Sequence, residues 1–258
     1  MPSPTAFLRR LRGKSPRELL RLAPRYATTR LSLAATRSRY WLRIHATRSA
    51  RDDRRRAALE RLRGGGSILF LCHGNICRSP FAERYARARL AAREIEPLDV
   101  DSAGTVQLND PRSPGTARRV ARRYGVDLDD HRSVRATAEQ IDGAALVVAM
   151  DYQNYHTVAE RHPWATDRTY LLGLFAPMRV PEIRDPHGYG EETFGDVYGR
   201  IAACVDELLD EYERVYEASG GVDDGYGYRT ASATNRDPDA PPGVVRSGLQ
   251  SGSRHTSR

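Results

Sequence analysis

A thiol and a guanidinium sit close together in the stretch Cys72-His73-Gly74-Asn75-Ile76-Cys77-Arg78-Ser79-Pro80. Gly74 and Asn75 between them are the residue types that most readily take left-handed backbone angles. Pro80 suits the first turn of a helix, where its missing N–H costs little. A loop that closes onto a helix N-terminus aims several backbone N–H groups at one point, and the helix dipole adds partial positive charge there. Such a nest accepts a phosphate dianion and favours the thiolate of a cysteine at its centre. The planar fork of Arg78 matches two phosphate oxygens, which a lysine would not do. Ser79 can donate to the sulfur and ease its later departure. Together these groups suit a covalent phosphocysteine intermediate. The bland reading of Cys72 is a buried, inert thiol, and the loop around it argues against that reading.

The elements that must hold this loop are legible on both sides. Ile68–Leu71 is a short unbroken apolar run, as in a strand buried on both faces. Phe81–Arg93 has helical character. Leu98–Ser102 is predicted as a second strand, and 113–124 as a helix with Ser113 as its cap and Pro114 at its first position. Ala144–Met150 is predicted as a central strand, Asp151 as the cap of a helix over 152–161, and Tyr170–Leu174 as a fourth strand. Glu191–Ala218 is an amphipathic final helix, in which Cys204 is a small packing residue. Strands alternating with helices imply a parallel sheet covered on both faces. Ligands of such sheets lie at the carboxyl ends of the strands, where Cys72 falls.

The loop resembles the phosphate-binding loop C-x-G-N-x-C-R-S-P of the low-molecular-weight protein tyrosine phosphatases, and further matches follow in order over about residues 67–217. The resemblance implies a three-layer α/β fold with a four-stranded parallel sheet, flavodoxin-like. It implies that His73 to Ser79 bind phosphate, with Cys72 as nucleophile and Arg78 as its anion clamp. Ser102-Ala103-Gly104-Thr105 resembles the family's second signature, so Ser102 would hold Asn75. Asp130-His131-Arg132-Ser133 resembles the family's His-containing loop, with His131 in the same supporting network. Where the family usually has Arg three residues after that His, this chain has Val134, with Arg135 one later. Phosphotransfer to a thiolate also needs a proton for the leaving oxygen, and a positioned carboxylic acid supplies it better than water. Asp185-Pro186 resembles the family's acid loop and makes Asp185 that acid. The aromatic pair common after it is replaced by His187-Gly188, with Tyr189 next, so the pocket wall is altered.

The implied activity is hydrolysis of phosphotyrosine proteins or small aryl phosphates, with no metal and no cofactor. Cys77 is either a packed thiol or the partner in a reversible disulfide that protects Cys72 from over-oxidation. Two other readings compete. Some arsenate reductases share the loop and fold, but they use a further cysteine pair, and this chain offers only Cys204. A non-catalytic phosphoprotein-binding module would be expected to lack Cys72, Arg78 or Asp185, and all three are present.

The net charge of +8 is unevenly spread. Residues 1–66 hold 18 Lys and Arg against 4 Asp and Glu, whereas residues 67–217 hold 18 against 25. The basic character therefore belongs to the N-terminal part, read as a helical or partly disordered extension. Within it 16–23 is predicted as a helix ended or kinked by Pro24, 51–63 as a charged, exposed helix, and Gly64-Gly65-Gly66 as a hinge. Its bland reading is a solvated arm, or helices packed on the core. The functional alternative is an anionic membrane surface, with Tyr40 and Trp41 in the headgroup layer. No nucleic-acid motif is present. The tail 218–258, rich in Gly, Ser, Asp, Pro and Arg, is predicted to be disordered. Three cysteines, two in one loop, make no disulfide scaffold. With no membrane-length apolar run they point to a reducing, cytoplasmic setting.

Overall fold

The computed structural model describes residues 16–47, 49–63, 66–93, 98–177 and 179–218, with side chains described between residues 28 and 215. Four parallel strands, β1 (Ser67–Cys72), β2 (Asp99–Gly104), β3 (Leu146–Ala149) and β4 (Thr169–Leu171), form a sheet in the order β2-β1-β3-β4. The connections run outward from β1 on one side and from β3 on the other. The crevice at their carboxyl ends is therefore a topological switch point. Register brings Cys72 level with Gly104 and Leu71 level with Ala149.

Alternation along β1 divides the core. Ile68, Phe70 and Cys72 enter a large cluster, and Leu69 points into a smaller one with Val147, Ile141 and Val158. The large cluster is closed by α3 (Arg78–Arg93), α4 (Gly115–Arg122) and α7 (Glu191–Ala218), and the smaller by α5 (Ala138–Gly143) and α6 (Tyr152–Arg161). These helices on two faces give the three-layer α/β architecture that the resemblance implies.

The N-terminal residues depart from the sequence reading. The first helix, α1 (Pro16–His45), does not end at Pro24 but continues past it. Proline removes one rung of the helical ladder, and the packing of the helix's second half holds it despite that loss. Tyr40 and Ile44 are buried in the large cluster rather than offered to a headgroup layer. The Tyr40 hydroxyl accepts from Leu171 N at 2.9 Å, which covers the outer edge of β4. Ser32 and Thr36 sit 3.1 and 2.9 Å from the two ring nitrogens of His156 on α6. The second helix, α2 (Ala50–Glu60), is charged but not simply exposed: Ala58 and Leu59 are buried, as is Leu62 just beyond it. Arg51 donates to the carbonyls of Gly173 and Leu174 at 2.6 and 3.1 Å, and Arg55 pairs with Glu211 of α7. The described part of the extension thus packs on the core, as its bland reading holds. Of the hinge glycines only Gly66 is described, and its carbonyl accepts from Asp99 N at 3.1 Å.

Smaller corrections concern ends. Ser113 does not cap α4; Pro114 occupies the cap position, with no side-chain cap bond. The run 170–174 splits into β4 and a single 3₁₀ turn over Leu172–Leu174. Leu172 and Leu174 are both buried there, and an apolar run alone does not separate strand from turn. The tail 219–258 lies outside the described residues.

Candidate active site

The loop after β1 bends at Asn75, whose φ of 51° is left-handed, and α3 begins at Arg78. This turn aims the backbone of the loop at the sulfur. Cys72 Sγ accepts from Asn75 N at 3.2 Å and from Ser79 Oγ at 3.0 Å.

Asn75 is the hub that keeps the bend. Its Nδ2 donates to Ser79 Oγ at 3.0 Å and to Ser102 Oγ at 2.8 Å. Its Oδ1 accepts from Val134 N at 3.0 Å, and its carbonyl lies 2.7 Å from His131 Nε2. Since a carbonyl only accepts, His131 is protonated on Nε2. Burial pushes the pKa of this imidazole down, so it donates as a neutral ring. Ser102 in turn donates to Glu83 Oε2 at 2.6 Å. Gly104 is required here for space: a Cβ would lie 3.1 Å from both His73 O and Gly74 C. That close approach lets Thr105 N reach Cys72 O at 2.9 Å and Val106 N reach His73 O at 3.1 Å.

Arg78 is 1% exposed. Its Nη1 donates to Asp151 Oδ2 at 2.7 Å and to Ile183 O at 3.0 Å, and its Nη2 lies 3.2 Å from Asp185 Oδ2. Burial alone would lower its pKa, but the charges of Asp151 and Asp185 outweigh that and raise it. Its Nε is buried with no hydrogen-bond partner among the described residues. A buried orphan donor beside a cysteine is the feature an incoming anion would satisfy.

The acid loop is tied down on both sides of Asp185. Ile183 N donates to Met150 O at 2.7 Å, just past the end of β3, and Tyr189 N donates to Pro186 O at 3.0 Å. Asp185 is partly exposed, with His187 N donating to its Oδ1 at 3.3 Å. His187 and Tyr189 are exposed, and Arg184 lies over the Tyr189 ring at 4.5 Å.

Every residue the sequence nominated is thus in one neighbourhood: Cys72 to Ser79, Ser102, His131 and Asp185. His73 is exposed at the rim, and burial of its inner flank lowers its pKa. Cys77 is buried, which pushes its thiol well up, and Tyr198 Oη donates to its carbonyl at 3.2 Å. Cys72 and Cys77 are both free thiols. Asp151 does cap α6, accepting from Asn154 N at 2.8 Å, but sequence reasoning missed that it also holds Arg78. It missed Glu83 too, a buried carboxylate one turn into α3 that anchors Ser102; the signal was an acid on the buried face of that helix. Val134 stands where an Arg is usual and contributes through its backbone. Cys204 is buried in α7, as a packing residue, and burial pushes its thiol up to about 12. Among the described residues there is no His, Cys, Asp and Glu cluster able to hold a metal.

Comparison with known proteins finds relatives of this chain. The family model described as "Low molecular weight phosphotyrosine protein phosphatase" matches residues 67–218. The low molecular weight protein-tyrosine-phosphatase Etp of Escherichia coli is 35% identical over 148 residues, 57% of this chain and 95% of that protein. A protein-arginine-phosphatase of Geobacillus stearothermophilus is 31% identical, over 57% of this chain and 95% of its own length. Among solved structures, the Erwinia amylovora tyrosine phosphatase AmsI aligns with a TM-score of 0.52 at 30% identity, covering 57% of this chain and 92% of that one.

Proposed function

The chain belongs to the low molecular weight phosphotyrosine protein phosphatase family, and on that premise we propose that it hydrolyses the phosphotyrosine of protein substrates through Cys72, Arg78 and Asp185. Residues 67–217 make up the catalytic domain, and the described part of 1–66 is an extension built onto it. The Cys72 thiolate attacks phosphorus while the bond to the leaving oxygen breaks, and Asp185 gives that oxygen its proton. Arg78 and the loop N–H groups hold the phosphoryl oxygens as charge develops on them. Water then attacks the phosphocysteine, Asp185 takes its proton, and inorganic phosphate and the thiolate separate. Asn75, Ser79, Ser102 and His131 hold the loop in shape. Cys77 is the resolving thiol: it attacks the sulfenic acid of an oxidised Cys72, and a disulfide forms as water leaves. This chemistry sets the protein in a reducing compartment, the cytoplasm. Among the described residues no helix is long and apolar enough to cross a membrane.

One observation carries the reading: the Cys72 sulfur accepts from Asn75 N and Ser79 Oγ on the loop that also carries the buried Arg78. The test is turnover of an aryl phosphate, with a chelator present, by the wild type and by Cys72→Ser and Asp185→Asn. Cys72→Ser is expected to abolish turnover, and Asp185→Asn to slow it by about 10²–10⁴-fold, the usual worth of a positioned acid. An inactive, fully reduced wild type would sink the proposal. Because the relatives include a protein-arginine-phosphatase, a phosphoarginine peptide run beside a phosphotyrosyl one decides the substrate.

A further inference from the structure

A groove of 630 Å³ opens beside the site, between α1 on one side and α6 with the acid loop on the other. We infer that this groove docks an acidic segment of the phosphoprotein, next to the residue whose phosphate enters the Cys72 loop. The inference rests on the phosphatase reading above and names what flanks its substrate.

Continuity is the first argument. Asp151, Ile183 and Asp185, which all touch Arg78, also line the groove. A chain whose phosphate sits on Arg78 therefore leaves the site along this wall. Size is the second, since 630 Å³ falls within the range of about 300–1,000 Å³ that holds a small ligand or a few side chains.

Charge is the third. Arg30 and Arg37 project from α1, Arg184 from the acid loop and Arg200 from α7. The carboxylates of the groove already have partners within the protein. Asp151 and Asp185 lie on Arg78. Glu182 accepts from Tyr152 N at 3.2 Å and faces Arg37 at a loose 3.9 Å. The groove thus sets four guanidinium groups against three carboxylates, two of which lie on Arg78, and is net cationic although the catalytic domain as a whole is acidic. Complementary charge of this kind selects partners and speeds their encounter.

The wall is also anchored to the core and belongs to this chain's extension. Ser32 and Thr36, on either side of Leu33 and Ala34 in the groove wall, are held by His156, and Tyr40 and Ile44 anchor the next turns in the core. The family match begins at residue 67, so α1 adds a specificity surface beyond the matched domain.

The test uses the full chain and three phosphotyrosyl peptides that differ only in flanks: Asp/Glu, Asn/Gln and Lys/Arg. The wild type is expected to show the lowest KM for the acidic peptide. In Arg30→Gln/Arg37→Gln that KM should rise about tenfold, as loss of two exposed ion pairs implies, with kcat and the kinetics on p-nitrophenyl phosphate unchanged. Arg200→Gln, on the opposite wall, should raise it in the same direction and guards against a local effect on α1. Affinity of the same peptides for Cys72→Ser, read by fluorescence anisotropy, needs no turnover. If the aryl phosphate is not hydrolysed, the catalytic reading fails while this binding arm still decides the docking. Equal affinities for the three peptides would overturn the inference. So would capture by phosphatidylserine vesicles without a preference among the peptides, which would assign the groove to a lipid surface.

Discussion

At the scale of single residues, Asn75 does two separable things. It accepts a left-handed backbone, φ 51°, and its amide joins Ser79, Ser102 and Val134 N. Substituting Gly keeps the first and removes the second, whereas Ala loses both. Asn75→Ala is therefore expected to be less stable than Asn75→Gly by about 1–2 kcal/mol, the cost of a Cβ in that conformation; urea unfolding of the two variants checks this. Equal midpoints would mean that the bend is set by the network and not by Asn75's own backbone. His131 adds a pH dependence. Burial lowers its pKa in the folded chain, so the unfolded chain binds the proton more readily. Stability from this group is full above about pH 6.5, the ordinary imidazole value, and is lost as pH falls through the lowered folded value. The melting temperature of wild type should fall more steeply than that of His131→Gln between about pH 7 and pH 5. His73 and His162 shift in the same direction and are common to both proteins, so the difference isolates His131. Parallel curves would remove it from the linkage.

At the scale of elements, β4 is an edge strand, and an unpaired edge invites wrong partners. The Tyr40 hydroxyl closes it at Leu171 N. Tyr40→Phe keeps the packing and orphans that buried N–H, at an expected cost of about 1–3 kcal/mol. Trp41→Ala, one residue on but 53% exposed, should stay within about 0.5 kcal/mol. Thermal unfolding of the pair reads the contrast, and comparable losses would mean that α1 docks through another face. Adjacent aromatic residues with opposite fates show where sequence reading stops. The strand, loop and final helix were legible because each follows local rules: an apolar run, a left-handed residue before a helix (Asn75, whereas Gly74 does not take a positive φ) and an amphipathic period. Tyr40 and Trp41 stand beside the same arginines in the sequence, and only the three-dimensional partner of each decides which is buried. Asp151 was legible as a cap for the same local reason. Its bond to Arg78 was not, because it spans two separate strand ends. The loop around Cys72 was legible as a candidate site because its thiol, guanidinium and hydroxyl lie within nine consecutive positions.

At the scale of the whole molecule, the question is whether the extension is a passenger. Its charge points one way: residues 1–66 carry +14 against −7 for residues 67–217, which suits a detachable basic arm. Its packing points the other way. Tyr40, Ile44, Leu59 and Leu62 are each at most 5% exposed and share the large core cluster. Burial of such a side chain is worth roughly 1.5–3 kcal/mol, so the four together rival the 5–15 kcal/mol or so by which whole domains are stable. Exposed ion pairs contribute at most about 1 kcal/mol each and cannot reverse that balance. A chain shortened to 67–218 is therefore expected to lose at least about 5 kcal/mol of unfolding free energy, or to bind an apolar dye and aggregate, as the faces of Tyr155, Tyr170 and Leu174 open to water. Denaturant unfolding of the full and shortened chains in the same buffer measures it. If the two unfold at the same midpoint, the extension is a passenger after all. A large loss makes α1 and α2 part of the domain that this chain must fold, and leaves the groove beside Asp185 with a fixed wall.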